Sequence, residues 1–231
     1  MATQASNPLP VPQVPIKDAD KPLFESINAF VYTYMSNYDN SHDYQHILRV
    51  LSNTNRIFQA ELATNPSATY DITALFLAAL LHDVGDHKYA KQGENIKTLV
   101  LDNLLAHGAD YKLAQKIQCI VDHVSYTHEI RNPEAVTKMM KLVPEIAIVQ
   151  DADRLDAIGA VGIARCFSFG AAKMPDQPMD RAVGHFEDKL YRLAGMMKTE
   201  AGKEMAKKRH DVLQEFARQW GEETELSFEV V

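Results

Sequence analysis

Apolar positions along the chain recur at helical spacing, not at the alternation of a strand. Phe24, Ile27, Phe30, Val31 and Tyr34 share one face, which predicts a first helix from Pro22 onward, and a second is predicted from about Ser41 to Leu62. Asn65 and Pro66 interrupt the pattern. Asp71 is placed to cap a third helix whose interior, Ala74 to Leu81, is apolar all round and so belongs in the core. Gly85 ends that helix, and further helices are predicted at about 93–107, 110–124, 133–141, 145–157 and 180–218. Ser168 to Asp180, with Gly170, Pro175 and Pro178, reads as a long loop able to cover a cleft. Strand signals are nearly absent, so the expected fold class is all-α.

Ahead of the first helix, Pro8, Pro10, Pro12 and Pro15 stand among small and polar residues, a composition that resists helix formation and buries little. Residues 1–18 are therefore expected to form a disordered tail and residues 19–231 one domain, a length that a single helical core can serve. A formal net charge of −7 argues against binding duplex nucleic acid, which needs a basic surface. Small phosphorylated substrates stay open, because they require only local cations. No run approaches about 18 apolar residues, so no membrane partner is expected. Cys119 and Cys166 lack metal-ligand spacing and read as buried free thiols; with no charged-then-apolar leader, an intracellular location, cytoplasmic or nuclear, is predicted.

Three clusters carry chemistry. His82 and Asp83 end the most hydrophobic helix, where burying an imidazole and a carboxylate is costly unless something pairs with them, and a metal would do so. His42 and His46 stand four apart on one helical face that Arg49 and Val50 continue, and one of the two can join the metal. Asp151, Asp153 and Asp156, with Arg154 among them, interrupt the otherwise apolar run from Ile146 to Ile163.

Taken in order, these residues resemble the signature of the HD-domain phosphohydrolases: a histidine, then a His-Asp pair, then a distant aspartate. His46-x-x-Arg49-Val50 is similar to the first element, His82-Asp83 to the second and Ala152-Asp153-Arg154-Leu155 to the last. The resemblance extends over roughly residues 22 to 220, including ALLHDVGDHKY, QDADRLDAIGAVGIAR and HFEDKL. It implies a single helical bundle and one divalent cation held by His46, His82, Asp83 and Asp153. Asp151 and Asp156 then read as supports that orient the histidines or cap nearby backbone. Similarity to the small stand-alone members implies cleavage of nucleoside triphosphates to monophosphate and pyrophosphate.

Two imidazoles and two carboxylates suit Mn(II), the first expectation, or Fe(II), Co(II), Ni(II) or Zn(II), better than Mg(II). With four protein donors, an octahedral ion keeps positions for water and a phosphate oxygen. Asp86, one turn beyond His82 and matching an acidic catalytic residue of the similar pyrophosphate-releasing enzymes, is expected to handle the proton. Lys88 is expected to neutralise phosphate charge, and Arg49, His123, Arg154 and Lys189, the last beside His185, to approach the substrate. The same site serves alternative activities: a nucleotidase or phosphodiesterase, a di-iron oxygenase drawing a second ion to His123 and His42, or a non-catalytic nucleotide-sensing module.

Overall fold

The computed structural model describes residues 9–85 and 96–229, and among these there is no strand. In chain order the helices are α1 (Lys21–Met35), α2 (Tyr44–Thr64), α3 (Ile72–Leu81), α4 (Leu99–Ala106), α5 (Tyr111–Asp122), α6 (Tyr126–Arg131), α7 (Pro133–Leu142) and α8 (Glu145–Asp156). They continue with α9 (Gly159–Lys173), α10 (Asp180–His185), a π turn over Phe186–Leu190, α11 (Tyr191–Ala194) and α12 (Glu200–Thr224).

The sequence of α3 explains its place. Asp71 accepts from the amide of Ala74 at 3.0 Å and starts the helix; every residue from Ala74 to Leu81 is then fully buried. Helix α3 packs on α1, α2, α5 and α8, so no face is left for water. Burial of each large side chain, such as Phe76, Leu77 or Leu80, contributes about 1.5–3 kcal/mol. At its end Gly85 takes φ +84°, a left-handed conformation that favours glycine and turns the chain immediately after His82 and Asp83. Helix α8 lies chiefly along α2, and a bend of 69° at Gly159 (φ +75°) turns α9 back across it. No single helix among the described residues is long and apolar enough to cross a membrane.

Three expectations need correction. The part of the presumed tail within the described residues, from Leu9, is non-helical but packs on the bundle. Ile16 is buried, Leu9, Val11 and Val14 lie against the core, and the Pro10 carbonyl accepts from Asn28 Nδ2 at 3.3 Å and from the Tyr44 hydroxyl at 3.5 Å. The loop expected at Ser168–Asp180 begins only after Lys173, because Phe167, Ser168 and Phe169 continue α9 and Phe167 stacks near Phe216 and Trp220. The long helix expected at 180–218 is broken: a π turn follows His185, and the chain restarts at Thr199, whose hydroxyl accepts from the Gly202 amide at 2.9 Å. Helix α6 falls where no element was expected.

Candidate metal centre and its cavity

Helix α2 begins at Asp43, whose carboxylate accepts from the His46 amide at 3.1 Å, so His46 emerges from the first turn and points inward. Its Nδ1 lies 2.8 Å from Asp156 Oδ2, and a nitrogen facing a carboxylate carries the proton. At the end of α3, His82 Nδ1 lies 2.8 Å from the Ala79 carbonyl oxygen and is a donor for the same reason. Both Nε2 atoms therefore present lone pairs, and they stand 3.1 Å apart. Two lone pairs at that distance repel unless a cation or a proton stands with them.

Carboxylates complete the cluster. Asp83 Oδ2 is 3.2 Å from His46 Nε2 and its Oδ1 is 3.6 Å from His82 Nε2. These three residues offer ligand atoms within 4.8 Å of one another. Asp153 stands just outside that tighter group, with Oδ1 3.7 Å from each Nε2 and its side chain 30% exposed toward the cavity. Burial opposes charge on His82, but the Asp83 and Asp153 carboxylates outweigh it and its pKa is pushed up to about 9. Burial also works against ionised Asp83 and Asp153, yet the imidazoles beside them hold both carboxyls below the usual range. The donor set thus fits a divalent cation: it is buried, arranged in the ionised form, and short of one positive centre.

Successive turns of α8 send its charged residues in different directions. Asp153 faces the imidazoles. Asp156 is buried and accepts from His46, from Arg49 Nε at 2.8 Å and from Arg165 Nη1 at 3.1 Å. Asp151 turns to the opposite side, where it accepts from the amides of Lys198 and Thr199 (2.9 and 2.8 Å) and from the Thr199 hydroxyl (2.7 Å), fixing the start of α12. Arg154 is 2% exposed and gives its Nη2 to Glu129 at 2.5 Å and its Nη1 to the Met196 carbonyl at 3.3 Å.

A cavity of about 700 Å³ opens on this cluster and is lined by His82, Asp83 and Asp153 together with Lys189, His185 and His42. Lys189 holds its Nζ 5.0 Å from the centre of the Tyr126 ring, also part of the wall. His42 packs edge-on against both His46 and Phe169 and stays outside the donor group. His123 donates Nδ1 to the Cys119 carbonyl at 2.7 Å and is one ring removed from the cavity, behind His128. Arg49 and Arg154, expected near the substrate, do not line the cavity, because the carboxylates of Asp156 and Glu129 hold their guanidinium groups elsewhere. Asp86 and Lys88 lie outside the described residues. Sequence reasoning missed Arg165 and Arg181, which do line the cavity. Arg165 is an arginine within the mostly apolar start of α9, a signal that was present but unread.

The HD domain family matches residues 43–158, a span that holds His46, His82, Asp83 and Asp153. YpgQ of Bacillus subtilis (strain 168) is 35% identical over 197 residues, covering 84% of this chain and 90% of YpgQ. The crystal structure of YpgQ in complex with ADP superposes with a TM-score of 0.66 and 32% identity, covering 88% of this chain and 95% of that one. An HD-superfamily hydrolase from Bacillus thuringiensis gives a TM-score of 0.61 and 29% identity over 90% of this chain and 98% of the other. The family match across half the chain and the extended identity with YpgQ lead to one conclusion: the chain belongs to the HD domain family.

Proposed function

We propose that the chain is a divalent-metal-dependent phosphohydrolase that cleaves nucleoside triphosphates to the monophosphate and pyrophosphate. The observation that carries this reading is the pair of Nε2 atoms 3.1 Å apart, each on a ring whose Nδ1 already donates elsewhere, with His82 of the pair lining a cavity of about 700 Å³. That volume lies within the roughly 300–1,000 Å³ usual for small-molecule sites. The complex of YpgQ with ADP supports a nucleotide as the ligand class.

In this reading His46, His82, Asp83 and Asp153 hold the ion, with manganese favoured by the mixed nitrogen and oxygen donors. When bound, such an ion supplies Lewis acidity to a phosphoryl oxygen and to water. Asp156 fixes the His46 tautomer through its 2.8 Å contact, and Arg49 acts through Asp156. Asp86 moves the proton and Lys88 meets phosphate charge, both just past the turn at Gly85. Lys189, which lines the cavity, contacts the substrate, and His123 supports the wall at His128.

The test is a panel of nucleoside mono-, di- and triphosphates incubated with manganese-loaded protein, with every product identified. Monophosphate and pyrophosphate in equal amounts from triphosphates is the expected result. Orthophosphate and nucleoside instead would make the chain a nucleotidase, and no product with any metal would end the phosphohydrolase reading.

A further inference from the structure

The cavity is also lined by basic residues from later in the chain. Arg181 and His185 from α10 and Lys189 from the π turn line it, with Cys166 of α9 beside them. The Arg181 guanidinium lies across Gly170, where an added Cβ would come 2.7 Å from Nη2. Its hydrogen bond among the described residues runs from Nη2 to the Cys166 carbonyl at 3.4 Å, a long contact to a neutral acceptor. No carboxylate pairs with it among those residues. The adjacent Asp180 is turned away and accepts from Trp220 Nε1 at 2.8 Å.

Arg165 on the same cavity differs, since it is bound to the Ser41 carbonyl and to Asp156. Burial, and then the Lys189 and Arg181 cations, hold the His185 pKa below its ordinary value, with Asp188 opposing them. Of the cations on this side of the cavity, Arg181 is the one whose contact among the described residues is a neutral carbonyl alone. A partly buried guanidinium without a counter-ion is costly, and its planar donors suit phosphate oxygens. One cavity thus holds His82, Asp83 and Asp153 together with the Arg181 guanidinium, so a ligand within it meets both the donor cluster and a planar cation.

We propose that Arg181, seated over Gly170, forms an anion subsite for the terminal pyrophosphate portion of a nucleoside triphosphate, and that it sets the preference for tri- over monophosphates. This rests on the phosphohydrolase reading above. Glycine at position 170 is part of the device, because any side chain there displaces the guanidinium head.

Binding of inorganic pyrophosphate to manganese-loaded wild type, Arg181→Gln and Gly170→Ala is measured by calorimetry, alongside kinetics with nucleoside mono- and triphosphates. Arg181→Gln is expected to weaken pyrophosphate binding, and to raise KM for triphosphates, by roughly ten- to hundredfold, with monophosphate binding little changed. Gly170→Ala keeps the arginine but shifts it, so it moves both quantities in the same direction; alanine within a helix favours folding, which keeps this variant usable. Unchanged pyrophosphate affinity in both variants, or equal losses for mono- and triphosphates, overturns the subsite while the hydrolysis stands. Arg181-dependent pyrophosphate binding in a protein that hydrolyses no nucleotide would keep the subsite and remove the reading of function.

Discussion

His46 Nδ1 and Asp156 Oδ2 are 2.8 Å apart, so an aspartate that never reaches the cavity decides which imidazole nitrogen faces the donor cluster. Burial disfavours the Asp156 carboxylate, but His46, Arg49 and Arg165 around it hold its pKa below the usual range. It is ionised wherever the site can work.

Asp156→Asn keeps the size of this group but loses the charge that fixes the His46 tautomer and binds two arginines. Manganese affinity is expected to fall by roughly ten- to hundredfold, the range seen when such supporting partners are removed. Calorimetric titration of the metal-free variant checks this, and affinity equal to wild type would show that Asp156 does not orient the ligand.

The raised His82 pKa predicts a pH response of the metal-free protein that the metal-loaded protein lacks. A group raised from 6.5 to about 9 on folding stabilises the metal-free fold fully below the lower value, and this contribution is lost as pH rises through the higher one. Thermal stability of the metal-free protein should therefore decline over that window, while the metal-loaded protein, with the same nitrogen occupied, should not. Manganese binding near neutral pH should also release a proton, with affinity rising about tenfold per pH unit until His82 is neutral. His82→Ala should abolish both effects together with metal-dependent activity. A flat stability profile in the metal-free protein, or binding without proton release, would contradict this account.

The proposed function gives Asp86 proton transfer and Lys88 phosphate neutralisation, and gives neither a part in metal binding. Asp86→Asn is expected to retain its metal while turnover falls by roughly a hundred- to ten-thousandfold. Lys88→Ala should lower turnover and substrate affinity together, since the charge it meets exists before reaction and grows during it. Metal content and kinetics on the same preparations decide the matter: loss of metal from Asp86→Asn would make that residue a ligand or its support.

Arg154 is predicted to matter for the fold instead of for binding. Removing it leaves Glu129 with Lys198 at 2.7 Å as its cation and takes away a charged hydrogen bond, so Arg154→Ala should cost about 1.5–3 kcal/mol in urea unfolding. Near-wild-type stability combined with a large rise in KM would restore Arg154 to the substrate.

The sequence made the candidate metal cluster readable because its members are chemically out of place: an imidazole and a carboxylate closing the apolar helix Ile72–Leu81, and three aspartates inside an apolar run. Choosing among the acids was harder. Asp151, Asp153 and Asp156 are interchangeable as letters, and only the turn angle between them sends one to the imidazoles, one to His46 Nδ1 and one to the start of α12. Arg154 and Arg165 show the same limit. Both are arginines close to a ligand in sequence, yet one is closed off by Glu129, a partner 25 positions earlier, and the other returns to the cavity through the bend at Gly159. The interruption between His185 and Thr199 was hidden because no proline marks it; the break is stabilised by Asp151, from a distant helix, capping the restart at Thr199.

The non-helical stretch around Pro10 also changes what the prolines mean. Its carbonyl accepts from Asn28 Nδ2 at 3.3 Å, the Oδ1 of the same amide accepts the Tyr44 hydroxyl at 2.6 Å, and Tyr44 lies two residues before His46. A composition that usually marks unstructured chain here acts as a splint. Because proline rings restrict the backbone before folding begins, laying this segment down forfeits less disorder than an ordinary sequence would, so a few weak contacts suffice to seat it. The minimal self-sufficient unit consequently starts upstream of its first helix, and a version trimmed to Lys17 would expose Ile16's berth and loosen the approach to the first histidine of the cluster.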